Sequence, residues 1–568
     1  MHIDVVPNRG ARPAYLLRES YREGVRVHKR TLANLSSLSD EQILAIRAVL
    51  RGEQLSPVAE RFEAIASRAH GHVQAVRVAM QRLGFESQLA SRPNRQRDLV
   101  CAMVAARVLA PHTKLATTRW WHSTTLAEEF GVADADEDEL YSAMDWLLER
   151  QGRIERKLAA RHLHAGGLVL YDLSSSYFEG SCCPLARIGH NRDGKKNTLQ
   201  VNYGLVNAPG GCPVAISVYE GNTADAQTLL PQVKRVREDF GIDTMVIVGD
   251  RGMISQKSIE EVQRLPGVAW ITALKSAQIR SLLEQGSLQL GLFDQRNLFE
   301  LTHPDFPGER LVACRNAHLA QLRAHKRQAL LQATVAELDK VRSMVERKRL
   351  RGADRIGVRV GRVVNKYKVA KHFELSIEAQ RFAFRIREEA VAQEAALDGI
   401  YILRTPLAAK AMHASEVVRS YKSLSDVERA FRCMKTVDLK VRPIHHRLPD
   451  RVRSHIFLCM LAYYVEWHLR QAWRSLLFAD EDQQTKTQRD PVAPAQRSAA
   501  AEHKALTHSL PDGSPAHSLR TLLDELATIV RNICRVPGAE STAPTFQLVT
   551  TPNAKQKRAL ELLNTITV

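Results

Sequence analysis

The sequence predicts an α/β fold built on a mixed sheet, interrupted by an inserted segment and flanked by helical N- and C-terminal regions. Three observations predict it. Near Gly166 the hydrophobic period changes from helical to the two-residue repeat of strands. Five strand-like runs then alternate with turns and helical stretches as far as residue 273. After a segment of different character, residues 295–398, a sixth strand-like run returns at 399–405.

In order along the chain, residues 1–100 are mixed and basic. The stretch 18–30 alternates after Gly24 and predicts a short ribbon, and 39–83 predicts helices. From 94 to 164 the pattern is helical, with Leu99, Met103, Val104 and Val108 on one face. Strands follow at 167–174, 198–206 and 212–219. Asn207-Ala208-Pro209-Gly210-Gly211 is turn chemistry, so the last two form a hairpin. Asn222-Thr223-Ala224-Asp225 starts a helix carrying Leu229, Leu230 and Val233, which makes Asp225 a helix-start residue. A strand at 244–248, a helix at 255–265 and a strand at 268–273 complete the run. Three antiparallel strands followed by a β-α-β crossover give a mixed sheet covered by helices.

Within 295–398 a long basic helix is predicted over 316–349, with Leu319, Leu322, Leu330, Leu338 and Val341 as its apolar stripe. Residues 357–373 alternate in part, as in Lys366-Tyr367-Lys368-Val369, and predict β structure. An apolar helix is expected at 455–473, a flexible linker at 480–515 and a last helix at 519–534. The expected organisation is therefore 1–100 as an N-terminal region, 101–165 helical, 166–294 the first part of the core, 295–398 an insertion, 399–478 the second part of the core, and 479–568 a linker with C-terminal helices.

With 568 residues the chain is too long for one hydrophobic core, and 44% hydrophobic with 25% charged residues is a globular balance. The net charge of +19 points to a polyanionic partner, above all nucleic acid. No run of eighteen apolar residues and no signal-peptide layout occurs, so no membrane partner and a cytoplasmic location are expected. The eight cysteines include no C-x-x-C pair, which argues against a zinc ribbon and for reduced thiols.

Three segments each present an acid. Leu168-Val169-Leu170-Tyr171 leads to Asp172, Met245-Val246-Ile247-Val248-Gly249 leads to Asp250, and Glu428 lies in an amphipathic helix spanning 421–435. In the first two an apolar run ends in the carboxylate, and a carboxylate at the end of a buried strand is costly unless a cation or hydrogen bonds satisfy it. Three such carboxylates suggest a shared site for a hard, oxygen-loving cation such as Mg²⁺. Glu428, Arg432 and Lys435 fall at i, i+4 and i+7, one helical face, while Val427, Phe431 and Met434 fall on another. Ser425-x-x-Glu428 also fits a capping box, and Asp250 before Arg251-Gly252 also fits an Asx turn. Adjacent His445 and His446 point to opposite sides, which suits DNA contact or structure better than a metal pair. The basic residues Arg347, Lys348, Arg349, Arg351, Arg355, Arg359, Arg362, Lys366, Lys368 and Lys371 suggest contact with a DNA backbone.

The arrangement of Asp172 on the first strand and Asp250 just after the fourth resembles the ribonuclease H-like fold. Tyr421, Glu428 and Lys435 resemble the Y-x-x-R-x-x-x-E-x-x-x-x-x-x-K motif of the DDE transposases of bacterial insertion sequences, with Leu424 at the arginine position and Arg419 and Lys422 close by. Glu220-Gly221-Asn222-Thr223-Ala224-Asp225, Gly249-Asp250-Arg251-Gly252-Met253 and Lys440-Val441-Arg442-Pro443-Ile444 look like the same family, and Ser20-Tyr21-Arg22-Glu23-Gly24 resembles the opening of one branch of it. The resemblance implies that Asp172, Asp250 and Glu428 are catalytic and hold two Mg²⁺ ions, with Mn²⁺ as a substitute. It implies DNA contacts by Tyr421, Arg432, Lys435, Arg251 and Arg442. It also implies strand cleavage at the element's terminal repeats, strand transfer into target double-stranded DNA, and a homodimer on DNA. The alternatives are a Mg²⁺-dependent nuclease without strand transfer and a non-catalytic DNA-binding relic.

Overall fold

The computed structural model describes residues 1–53, 62–180, 182–195, 197–294, 296–537 and 542–567. They form two units, Met1–Arg68 with Val530–Thr551, and Ala69–Ile529 with Pro552–Val568.

In the first unit the predicted ribbon is the hairpin of Ala11–Glu23 and Arg26–Asn34, closing at Glu23↔Arg26. Gly24 takes φ 63°, a left-handed value that suits a tight hairpin tip. His2–Asn8 completes a three-stranded sheet. Helix Asp40–Leu50 starts at Ser39, which exchanges side-chain and backbone hydrogen bonds with Gln42. The helical expectation for 39–83 fails at Glu63–Ala69, a strand in a second sheet with Val530–Arg535 and Phe546–Val549. Its partners come from the far end of the chain, so no local period reveals the pairing. For the same reason the helix expected at 519–534 stops at Ala527 and gives way to a strand. Part of 39–83, residues 54–61, lies outside the described residues.

The second unit is built on an eight-stranded sheet. Its strands are β1 (Leu168–Tyr177), β2 (Gln200–Asn207), β3 (Pro213–Glu220), β4 (Met245–Val248), β5 (Val268–Ala273), β6 (Leu298–Leu301), β7 (Arg310–Arg315) and β8 (Ile400–Thr405). They lie in the order β6-β7-β8-β5-β4-β1-β2-β3. β1, β2 and β3 run antiparallel, and β4 and β5 run parallel to β1. The order 3-2-1-4-5 with this direction pattern is that of the ribonuclease H-like fold. The parallel pairs are buried on both faces, as their unbroken Val, Ile and Leu runs require. Helix Pro449–Ala472 packs on β3 and is buried almost all round, which explains its continuous apolar sequence.

Two corrections concern the insertion. β6 and β7 are not part of a separate body: they extend the central sheet through β8. The β structure predicted for 357–373 is instead helix Ala353–Tyr367, because Ile356, Val360, Val363 and Val364 recur at helical spacing and are the buried positions. The long helix runs Ala317–Glu346, capped by Asn316, whose side chain accepts from Leu319 N–H at 2.8 Å. Of its predicted stripe Leu338 and Val341 are buried, whereas Leu322 is exposed. These helices and the hairpin Phe373–Ile377/Phe382–Ile386 share their own core.

The flexible linker expected at 480–515 is also corrected. Helices Gln483–Gln488 and Ala499–Thr507 form there. The buried Lys504 ammonium donates to the carbonyls of Arg474 and Leu477 at 3.3 and 3.2 Å and pairs with Glu481, which anchors the segment. No single helix among the described residues is long and apolar enough to cross a membrane. Cys101, Cys183, Cys212, Cys314, Cys433, Cys459 and Cys534 are free thiols.

Candidate active site

β1 and β4 place the first two acids. Their parallel register pairs Leu168 with Val246, Val169 with Ile247 and Leu170 with Val248. This pairing ends two residues before each acid, and the charge of Asp250 acts on the Asp172 carboxyl. Asp172 is not at a strand end, as the sequence suggested: β1 continues to Tyr177, paired with β2. Leu173 N–H donates to Asp172 Oδ1 at 2.8 Å. Asp250 does make the Asx turn, its Oδ1 accepting from Gly252 and Met253 N–H at 3.0 and 2.8 Å. In both acids these bonds fall on Oδ1.

The third acid arrives on a helix. The single helix expected over 421–435 is three pieces: Ala414–Lys422, Leu424–Arg432 and a π-helical turn at Cys433–Val437. Val427, Ala430 and Phe431 are buried, and Phe431 meets the Tyr203 ring edge-on at 5.7 Å, which seats the helix on the sheet beside β1. Glu428 lies on the exposed face in mid-helix. The helix begins at Leu424, so Ser425 is not its cap and the capping-box alternative fails.

The three acids act on one another. Burial pushes the Asp172 carboxyl up to about 7, and the charges of Asp250 and Glu428 add to the rise, against Leu173 N–H and Arg192. Tyr421 is pushed up to about 12 by burial and by Asp250, Glu428 and Asp172, with Arg251 opposing. The phenol and Arg251 therefore stand with the acids. The ligand atoms of the three acids are not all within 4.8 Å of one another; two other groups among the described residues are, His162 with Cys212 and His468, and Cys433 with Asp438 and Glu466. A carboxyl raised by burial and further by two neighbouring acids marks a site short of positive charge, and all three donors are hard oxygens, which fits a divalent cation.

Lys435 does not share the exposed face of Glu428 and Arg432. The wider π turn rotates it inward, where its ammonium donates to Asp193 at 3.1 Å and is 11% exposed. Arg442 meets the same carboxylate and lies over the Tyr177 ring, its guanidinium carbon 5.9 Å from the centroid. Lys195 lies over that ring too, at 3.4 Å. Together with Thr436 and Lys440 these residues line a cleft of about 380 Å³ with four cations against one acid. Sequence reasoning missed Tyr177, Asp193, Lys195 and Lys440. The charged string Asn191-Arg192-Asp193-Gly194-Lys195 between two strands was the available signal. Asp225, at its helix start, is held by both oxygens to Arg192 at 2.6 Å. Arg419 donates to the Arg489 carbonyl at 3.2 Å, so it does not fill the place left by Leu424. His446 is half-buried against the His455 and Tyr141 rings, whereas His445 is exposed.

Residues 187–465 match the family model of the transposase DDE domain. The chain belongs to the DDE transposases of insertion sequences, enzymes that cleave DNA and transfer its strands with a divalent metal. Residues 3–60 match the N-terminal domain of IS1634 family transposases. The DDE match begins at Arg187, so Asp172 lies outside it. A solved piggyBac transposase synaptic complex with hairpin DNA aligns with 80% of this chain and 77% of that chain at 8% identity, with a TM-score of 0.34. Comparison with curated proteins gives no match.

Proposed function

We propose that Asp172, Asp250 and Glu428 are the catalytic acids of this transposase and hold two Mg²⁺ ions, with Mn²⁺ as an effective substitute. One observation supports this: the β1–β4 pairing ends two residues before both aspartates, and the charges of Asp250 and Glu428 both act on the Asp172 carboxyl. When bound, such ions supply Lewis-acid stabilisation to both the attacking and leaving oxygens of an in-line phosphoryl displacement. The chain's own residues fix the geometry. The Oδ1 bonds to Leu173, Gly252 and Met253 hold the two aspartates in place. Tyr421 and Arg251 border the acids, where they contact the phosphate next to the cut.

Arg432 is exposed one turn beyond Glu428 and contacts the backbone further along. Lys435 and Arg442 act from the cleft with Lys195 and Lys440, a cluster suited to a phosphate. The exposed basic residues of the insertion extend the DNA track. The N-terminal region reads the terminal inverted repeats, and a homodimer brings two ends to one target, in the cytoplasm at the nucleoid.

The test is cleavage and joining of a labelled duplex carrying the element's own terminal repeat, with Mg²⁺, comparing wild type with Glu428→Gln. Nicking and strand transfer present in wild type and lost in the variant support the proposal. Cleavage without joining would favour a nuclease, and binding without cleavage in both proteins would favour a DNA-binding relic.

A further inference from the structure

Three further elements converge on a second set of donors. His162 is the last residue of helix Gln151–His162, Cys212 directly precedes β3, and His468 lies in the last turns of helix Pro449–Ala472. One ligand atom from each lies within 4.8 Å of the other two. The His162 and His468 rings are 5.9 Å apart between centroids, and both pack on Tyr464 at 5.5 and 4.7 Å. Tyr464 hydroxyl is 3.0 Å from His162 Nε2. Trp467 Nε1 donates to the Gly210 carbonyl at 3.0 Å, which ties the long helix to the turn that presents Cys212.

His468 is 6% exposed, and its Nε2 is buried without a hydrogen-bond partner. A buried imidazole nitrogen without a partner is costly, and no donor or acceptor among the described residues reaches it. Burial lowers both histidines, His468 to about 3, so both rings are neutral near neutral pH and each can offer a nitrogen lone pair to a metal. Cys212 is 2% exposed and its thiol is pushed up by burial, so the site holds no charge without a ligand. Arg161 is the cation opposing a metal there, and its guanidinium is already engaged with the Leu83 carbonyl at 2.9 Å.

We propose that His162, Cys212 and His468 form a structural site for one transition-metal ion, with Zn²⁺ the fitting ion, separate from the catalytic acids. Two imidazoles and one thiolate are a borderline-soft donor set that favours Zn²⁺ over Mg²⁺. Zinc bonds are about 2.0–2.1 Å to nitrogen and about 2.3 Å to sulfur, so the three donors need close only modestly. On binding, the Cys212 S–H bond breaks, the proton passes to solvent and the sulfur lone pair forms the S–Zn bond; no electron is transferred. Water or the Tyr464 hydroxyl completes a tetrahedron. The ion would clamp two helices to the β2–β3 turn, on the side of the sheet covered by helix Pro449–Ala472.

The experiment is Co²⁺ titration of the full chain, read as thiolate-to-cobalt charge-transfer absorption, which an all-carboxylate site cannot give. The expected band saturates at one Co²⁺ per chain, bleaches with one equivalent of Zn²⁺, and is lost in Cys212→Ser and His468→Gln. It persists in Asp172→Asn, which disables the catalytic site, and in Cys433→Ser, which disables the other cysteine-containing cluster. Absence of the band in wild type overturns the proposal, as does its survival in Cys212→Ser or its loss in Cys433→Ser. Should the two ligand variants fail to fold, the zinc content of wild type after dialysis against micromolar Zn²⁺ decides: about one per chain supports the site, and near zero overturns it.

Discussion

Lys435 and Asp193 form an ion pair at 3.1 Å in which the carboxylate is 2% exposed and is shared with Arg442. Asp193 also accepts from Tyr177 N–H at 3.0 Å, so one buried acid fixes the end of β1 and two cations of the cleft. Removing it leaves two desolvated cations without their counter-charge. Asp193→Asn should therefore destabilise the chain by about 3 kcal/mol, as loss of one partner from a buried pair does. Thermal melting checks this. An unchanged melting temperature would show that water already screens the cleft.

Glu428 offers a cleaner probe, because it is exposed in mid-helix and supports no cap. Glu428→Gln keeps shape and removes charge. Since changing even an indirect partner of a metal ligand costs about 10–100-fold, loss of a direct ligand should cost at least about a hundredfold in strand cleavage, with melting unchanged. Cleavage rates with Mg²⁺ decide. Activity within a few-fold of wild type would remove Glu428 from the site.

The position of Asp172 predicts a pH signature. Its carboxyl rises from 3.8 to about 7 in the folded chain. Between those values the folded state keeps a proton that the unfolded state has released. Metal-free stability from this group therefore falls as pH rises from about 4 to about 7 and is flat outside that window. Asp172→Asn cannot titrate, so its melting curve should be flatter and should lie above wild type at pH 8 in chelator. A divalent cation replaces the proton, so its apparent affinity should rise about tenfold per pH unit up to 7 and then level. Parallel wild-type and Asn curves would contradict the raised carboxyl.

Much of this site was legible in the sequence because it rests on local patterns. The apolar runs ending at Asp172 and Asp250 announced buried parallel strands, and the turn at 207–211 announced the hairpin. What stayed hidden depends on contacts distant in sequence. Asp193 could not be assigned to Lys435, 242 residues away. Nor could the strand Glu63–Ala69 be seen before its partner at Val530–Arg535 was in place. Periodicity misled at Ala353–Tyr367, where two lysines alternating with Tyr367 and Val369 masked a valine pattern of helical spacing. The π turn that turns Lys435 inward breaks the very i, i+7 rule used to place it.

Gly204 tests how tightly the first acid is held. It sits on β2 opposite Leu173, and a Cβ built there would lie 2.2 Å from the Tyr171 hydroxyl. Tyr171 is fully buried and directly precedes Asp172. Gly204→Ala must push the ring and, through it, β1. Overpacking of this kind costs about 1–3 kcal/mol. The expected result is a lower melting temperature together with slower cleavage. A variant that loses stability but cleaves at the wild-type rate would show that β1 holds Asp172 independently of the ring.

Helix Ala353–Tyr367 carries the last prediction. Its buried side is Ile356, Val360, Val363 and Val364. Arg355, Arg359, Arg362 and Lys366 recur at steps of four, three and four residues, so they form one exposed cationic stripe along the opposite side. The three arginines are exposed, whereas Lys366 lies over the Tyr367 ring, so the arginines are the ones to separate from folding. If the stripe follows a DNA backbone, each arginine that neutralises a phosphate releases a counterion, and the logarithm of affinity falls with the logarithm of salt by about 0.9 per contact. The triple variant Arg355→Ala, Arg359→Ala, Arg362→Ala should then bind terminal-repeat and unrelated duplexes more weakly to a similar degree. Its salt slope should be shallower by about 2.7, three contacts at that value. Binding measured between 50 and 200 mM salt, roughly the range over which such slopes are resolved, supplies the test. A weaker affinity with an unchanged slope would mean that the stripe acts on DNA indirectly, and an unchanged affinity would make it a solvated face.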